Sequence, residues 1–258
     1  MQSRFKDKVA VITGAGQGIG KRVAERMAED GARLVLVDRS DIVHELNASL
    51  GGQTEVLTLT GDMEQYADCQ RIMAAAQEHF GRIDISVHNV GGTIWTKPFE
   101  HYAEQEIEAE VRRSLFPTLW CCHAVLPYMQ EQGSGVIVNV SSIATRCLNR
   151  APYGAAKGGV NALTACLAFE NAQRSIRVNA VATGGTEAPP RRIPRHPGEQ
   201  TEQEKAWYQQ IIDQTVSSSL MHRYGTLEEQ ANAILFLASD EASYITGTVL
   251  PVGGGDMG

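Results

Sequence analysis

In the stretch "APYGAAKGG" (151–159) a tyrosine and a lysine stand four positions apart among small residues. On a helix, Tyr153 and Lys157 would share one face, one turn apart. A free phenol ionises near pH 10, and bringing one to neutrality takes about 4 kcal/mol of preference for the phenolate. One ammonium in a partly dry site can supply a preference of that size. The pair can therefore exchange a proton with a substrate hydroxyl, while the Gly and Ala around it leave room for a bound molecule. The competing explanation is plain helix packing, and the rest of the chain decides between them.

A second set of residues lies at the start. "TGAGQGIG" (13–20) puts Gly14, Gly18 and Gly20 between an apolar run and a helix-like segment. Glycines at such a turn let backbone approach a phosphate, which then faces the free N–H groups of the helix. The spacing is T-G-x-x-x-G-x-G, not the commoner G-x-G-x-x-G. In "LVLVDRS", Asp38 ends the next apolar run, where a carboxylate can accept both ribose hydroxyls of NAD and repel a 2′-phosphate. Arg39 beside it would favour NADP, but without a second basic partner it reads as a solvated side chain. Asp62, in "TGD", either bonds an adenine amino group or caps the helix expected over 63–80.

These residues need a frame. Apolar, β-branched runs at 8–14, 32–39, 55–62, 84–90, 135–142, 176–184 and 247–255 read as strands. Helix-length segments alternate with them: 18–31 with a Gly stop, 41–50, 64–81, a long one ending near Gln132, 152–173, and one or two within 201–238. Strands this apolar are buried on both faces and hence parallel. Strict alternation gives an α/β, single-domain Rossmann-type doubly wound parallel sheet over residues 1–258. No linker, repeat or break in composition divides the chain.

Composition narrows the function. The 258 residues are 43% hydrophobic and 21% charged, with a net charge of −7, which disfavours a nucleic-acid surface and suits a protein handling small molecules. No apolar run reaches the roughly 20 residues of a membrane span. The start, "MQSRFKDKVAVITG", shows no cleavable apolar leader, so a cytoplasmic location is expected. Five cysteines without a CxxC pair and seven histidines without HExxH spacing predict neither a disulfide framework nor a metal site.

Taken in order, Thr13-Gly-x-x-x-Gly18-x-Gly20, "HNVG" (88–91), "NVSS" (139–142) and Tyr153-x-x-x-Lys157 resemble the short-chain dehydrogenase/reductase family over essentially the whole chain. The resemblance implies that Tyr153 is the catalytic acid/base, that Lys157 holds the nicotinamide ribose and lowers the phenol pKa, and that Ser142 binds the substrate oxygen. Ser141 is the less favoured of the serine pair. The resemblance also implies contacts of the NAD cofactor with Gly14, Gln17, Gly18, Ile19, Gly20, Asp38, Asp62, Met63, Asn89, Gly91, Tyr153, Lys157, Gly184 and Thr186.

Three departures stand out. His88 replaces the first asparagine of the usual "NNAG". Ser114 occupies the place of the helix asparagine that relays protons, a role a serine fills in part. Thr183-Gly184 replaces Pro-Gly. The connection from Ser142 to Tyr153 is shorter than usual, so a tight loop is expected.

The segment "GGTEAPPRRIPRHPGEQ" (184–200) falls where such folds place the substrate, and a substrate segment is expected at about 184–220. Its Arg191, Arg192 and Arg195, with Arg146 and Arg150 from the loop after Ser142, are either solvated or a clamp for an anionic substrate. Within the family, "SSIATRCLNRAPYGAAKGG", "EAPPRRIPR" and "SSLMHRYGT" resemble bacterial members that oxidise a cyclic cis-diol carboxylate, which suits a clamp. Another alcohol dehydrogenase, a 3-ketoacyl reductase and a non-catalytic dinucleotide-binding regulator are the alternatives. The small apolar face of 158–170 and the Gly-rich C-terminus suggest a homotetramer, as in relatives.

Overall fold

In strand β1 (Val9–Thr13) every residue is buried, and the side chains of the sheet divide by parity between two separate cores. Ala10 and Ile12 of β1, and Leu34 and Leu36 of β2 (Arg33–Asp38), join one cluster; Val9, Val11, Val35 and Val37 join the other. A strand apolar at both parities has no solvent face, and it must lie between two helical layers. The computed structural model, which describes residues 3–196 and 198–258, has that arrangement. Pro197, in the proline-rich segment, lies outside the described residues.

Seven parallel strands run in the order β3-β2-β1-β4-β5-β6-β9. The remaining members are β3 (Val56–Thr60), β4 (Ile85–His88), β5 (Gly135–Ser142), β6 (Ile176–Thr183) and β9 (Val249–Val252). Pro251 is accommodated because β9 is an edge strand. Helices α1 (Gly18–Glu29) and α7 (Leu227–Ala238) cover one face; α3 (Tyr66–Phe80), α4 (Glu104–Gln132) and α5 (Ala151–Asn171) cover the other. The Rossmann-type expectation is met. The order reverses between β1 and β4, and the crevice outside their carboxyl ends is where such sheets take ligands.

Some local expectations change. Residues 41–50 form a 3₁₀ turn over Asp41–His44 followed by the short α2 (Glu45–Leu50), not one helix. Helix α1 stops at Glu29, and Gly31 takes φ +82° in the turn into β2. The 201–238 region resolves into α6 (Glu202–Ser218) and α7, each opened by a threonine cap. Thr201 and Thr226 accept from the backbone N–H of Glu204 and Glu229, whose carboxylates return the bond to the cap N–H. A two-residue parallel pair, β7 (Thr186–Glu187) with β8 (Gly225–Thr226), ties the segment after β6 to the start of α7. Among the described residues no helix is long and apolar enough to cross a membrane.

Candidate active site

The glycine turn is built by close packing. Gly14 has φ +66° and Gly18 +63°, conformations that side chains resist. A Cβ on Gly20 would run into the Gly14 carbonyl, so α1 could not sit this near β1 with any other residue. Asn89 locks the turn from the neighbouring strand: its Nδ2 donates to the Gly14 carbonyl (3.1 Å) and its N–H to Thr13 Oγ1 (3.2 Å). Gly18 faces open space, with nothing within 4 Å of a would-be Cβ. A phosphate can therefore reach the first turn of α1.

Around that turn lies a cleft lined by Gly14, Gln17, Ile19, Asp38, Asp62, Met63, Asn89, Gly91, Tyr153 and Lys157. Ten of the expected cofactor contacts thus share one site. Gly20 packs behind it, and Gly18, Gly184 and Thr186 line the adjoining cavity. Asp38 Oδ2 accepts from Gly16 N–H (3.0 Å) and Oδ1 from Ser40 N–H (3.2 Å), which fixes a carboxylate at the end of β2. Asp62 Oδ1 accepts from Glu64 N–H (3.0 Å) while still lining the cleft, so both readings of that residue find support. The residues present fit a dinucleotide.

Residues 191–195 cross this cleft. Gln17 Oε1 accepts from Arg192 N–H (3.0 Å) and Ile193 N–H (3.5 Å), and its Nε2 donates to the Ile193 carbonyl (3.3 Å). Arg192 pairs with Glu45 on the outer rim, 2.6 Å away. That pairing turns it away from the cavity holding Tyr153, so Arg192 does not join the other arginines.

Helix α5 supplies Tyr153 and Lys157. The lysine Nζ donates to the Val140 carbonyl (2.7 Å) and lies 5.9 Å from the centre of the Tyr153 ring. Burial pushes its pKa down to about 7, and the positive charge of Arg195 pushes the same way. A Cβ on Gly91 would come within 3.2 Å of this ammonium, which explains a glycine at that point. Ser142, ending β5, accepts from Ala144 N–H (3.1 Å) and donates to the Thr183 carbonyl (3.3 Å). Ser141 is committed elsewhere: its Oγ donates to Asn161 Oδ1 and the Lys157 carbonyl. The loop from Ser142 to α5 is tight, with Asn149 at φ +56°.

Tyr153 and Ser142 open onto a cavity of about 740 Å³ that Arg146, Arg150, Arg191 and Arg195 also line. Three buried polar atoms on its wall find no partner among the described residues: Thr96 Oγ1, Arg150 Nε and Gln214 Oε1. Buried polar groups are rarely left so, and these suit a polar ligand. Arg195 lines both cleft and cavity, its guanidinium against Gly92, where a side chain would collide with it.

The departures also find places. Ser114 is fully buried and accepts from Gly92 N–H (3.3 Å), holding the loop after β4 against α4. His88 is a core residue: Nδ1 donates to Asn139 Oδ1 (2.9 Å), Nε2 accepts from Ser86 Oγ (2.8 Å), and burial pushes its pKa down to about 4. Two acids went unread in the sequence. Glu64 pairs with Arg113 across the cleft. Glu110 lies wholly buried behind the cavity wall and accepts from Ile94 and Trp95 N–H, both at 2.7 Å.

Comparison with known proteins agrees with this arrangement. The family model described as short chain dehydrogenase matches residues 8–196. The 1,6-dihydroxycyclohexa-2,4-diene-1-carboxylate dehydrogenase of Pseudomonas putida is 71% identical, with 100% of this chain and 96% of that protein covered. The protein of the same name from Acinetobacter baylyi is 56% identical over 99% and 98%. Among solved structures, levodione reductase superposes with a TM-score of 0.86 at 34% identity, covering 98% of this chain and 99% of that one. A 3-ketoacyl-(acyl-carrier-protein) reductase from Brucella melitensis, solved with NADH, gives 0.84 at 30% identity over 98% and 99%. The turn, the Ser–Tyr–Lys set and these relatives lead to one conclusion: the chain belongs to the short-chain dehydrogenase family, oxidoreductases that work with a nicotinamide dinucleotide on small molecules.

Proposed function

We propose that this protein oxidises 1,6-dihydroxycyclohexa-2,4-diene-1-carboxylate with NAD, giving catechol and CO₂ in the degradation of benzoate. What carries the reading is that the serine and tyrosine open onto the same cavity as several arginines, in a chain 71% identical to a protein named for that activity.

When bound, the dinucleotide supplies the hydride acceptor. Gly14, Gly18 and the first turn of α1 hold its phosphates, and Asp38 its adenine ribose, which favours NAD over NADP. Lys157 holds the second ribose and keeps a positive charge beside Tyr153. Tyr153 takes the proton of the C6 hydroxyl, and Ser142 bonds the same oxygen and fixes its angle. Ser114 holds the Gly91–Gly92 turn close to Lys157 and fills the relay asparagine's place only in that sense. The oxidised carbon becomes a ketone β to the carboxylate. Loss of CO₂ then leaves its electron pair in the ring as an aromatic catecholate, and the proton taken from the C6 hydroxyl is balanced by one returned to that oxygen, so no metal or Schiff base is needed.

The carboxylate stands on the carbon next to the reacting one, so its anchor must lie beside Tyr153. Arg195 does, at the junction of cleft and cavity, and among the described residues it makes no ion pair. Burial lowers its pKa and the Tyr153 phenol raises it. Arg191 also lines both cleft and cavity, and Arg146 and Arg150 line the cavity from the loop after Ser142. A homotetramer in the cytoplasm completes the reading.

The test is the pair of substrates. For Arg195→Ala, KM for the diol acid should rise roughly 10- to 100-fold, the worth of a charge-assisted pair, while KM for a neutral cis-dihydrodiol stays within about twofold. Equal effects on both would remove the clamp.

A further inference from the structure

The Gly91–Gly92 backbone runs between the Arg195 guanidinium and Ser114 of helix α4. Gly91 and Gly92 carry no side chains; on the outer side the Arg195 guanidinium rests on Gly92, and on the inner side Ser114 and Glu110 hold the same loop. Glu110 Oε1 takes two adjacent N–H groups, those of Ile94 and Trp95, while Oε2 is buried with no partner among the described residues. A carboxylate this dry, half of it unbonded, is costly to keep ionised. Its nearest compensation comes from cations on either side.

The charged and titratable groups around it are few. On its own helix Arg113 is drawn to Glu64, and Glu106 is paired with Lys97 from the loop after β4. Tyr102, which donates to the Trp95 carbonyl (2.8 Å), has its pKa raised by burial and then by Glu110. Lys157 lies beyond Gly91. Arg195 is the cavity cation that lies against this loop, and no carboxylate among the described residues pairs with it.

We propose that Glu110 is a positioning residue whose charge balances Arg195 across the glycine wall, and that it takes up a proton from solvent when a substrate carboxylate binds there. This rests on Arg195 as the carboxylate anchor. Two carboxylates facing one guanidinium in a low-dielectric site repel, and the one that lacks bonds on one oxygen is the one that neutralises. The group is poised for it: burial lifts Glu110 to about 7, against the opposing pull of the two N–H bonds and of Arg113 and Arg195. The protonated acid still accepts both N–H groups through Oε1, so the wall stays in place while its charge switches.

The consequence is pH-dependent discrimination. Above neutrality, ionised Glu110 competes with the diol acid for Arg195 and weakens its binding; below neutrality it does not. A neutral diol is indifferent. Lys157, also near 7, is held down in part by Arg195, so any proton it gains when a carboxylate binds is separated from this effect by the Glu110→Gln variant and by a carboxyl signal that a lysine lacks.

Titration calorimetry of benzoate into the NAD⁺ complex at pH 7, in buffers of different ionisation enthalpy, should show uptake of about half a proton in the wild type. In Glu110→Gln the uptake should fall to whatever Lys157 contributes, and at pH 8 KM for the diol acid should fall roughly three- to tenfold with KM for the neutral diol unchanged. The wild-type infrared difference spectrum on adding benzoate should gain a protonated-carboxyl band, a readout that needs no variant and that a lysine cannot give. Benzoate binding without proton uptake, uptake undiminished in Glu110→Gln, or an equal rise of KM for both diols would each overturn the proposal. If Arg195→Ala instead leaves KM for the diol acid unchanged, the anchor itself is wrong, which is a separate result.

Discussion

Tyr153, Lys157 and Ser142 stood out in the sequence because the proposed chemistry needs particular residue types at a helical spacing and at a strand end, and the structure places them around one cleft and its adjoining cavity. Tyr153→Phe keeps the ring and loses the proton carrier. It should lower kcat by about 10³-fold with KM little changed, as measured by steady-state NADH formation. Glu110 was not legible in the same way, because an acid in the charged run "EIEAEVRR" looks solvated. Its position one turn before Ser114, on the buried stripe that continues through Cys121, Val125 and Met129, was the available signal.

His88 gives a second prediction at this scale. Its pKa is depressed from 6.5 to about 4, so the unfolded chain gains a proton that the native one refuses as pH falls from 6.5 to 4. Stability from this group is complete above 6.5 and falls by about 3 kcal/mol by pH 4. Glu110, raised from 4.5 to about 7, has the opposite slope: its contribution is complete below 4.5 and is lost as pH rises to 7. The two cancel over much of the window in the wild type. In urea unfolding, the stability gap between wild type and His88→Asn should therefore narrow by about 3 kcal/mol from pH 6.5 to 4, and a constant gap would contradict buried neutral histidine.

Among elements, the seven main strands could be placed to within two or three residues because buried parallel strands are uninterrupted apolar runs. The β7–β8 pair could not, since two-residue bridges have no period to read. The strap formed by 191–195 was expected as a substrate segment, but its grip on the glycine turn through Gln17 needed coordinates. That strap narrows the dinucleotide cleft, which Arg191, Ile193 and Arg195 line, so release of the strap should speed dinucleotide entry. The Arg192–Glu45 pair is more than half exposed at both ends and contributes little. The amide bonds of Gln17 carry the latch. Stopped-flow NADH binding should then show a faster association rate for Gln17→Ala, by several-fold, and a smaller change for Arg192→Ala. Equal or absent effects would mean the strap is not the barrier.

At the scale of the whole molecule, the doubly wound architecture follows from the alternation of elements, and the ligand crevice from the reversal between β1 and β4. What the fold leaves exposed points to assembly. Phe169 on α5 is 90% exposed and Tyr244, near the C-terminal strand, is fully so, a poor arrangement for an isolated chain. Sedimentation at micromolar concentration should give a tetramer; a monomer would refute that part of the account.

The reaction itself is the most direct test. Purified protein with NAD⁺ and 1,6-dihydroxycyclohexa-2,4-diene-1-carboxylate should form NADH and catechol in equal amounts, and Tyr153→Phe should form almost none. No turnover of the diol acid by the wild type, or catechol formation by Tyr153→Phe near the wild-type rate, would contradict the account.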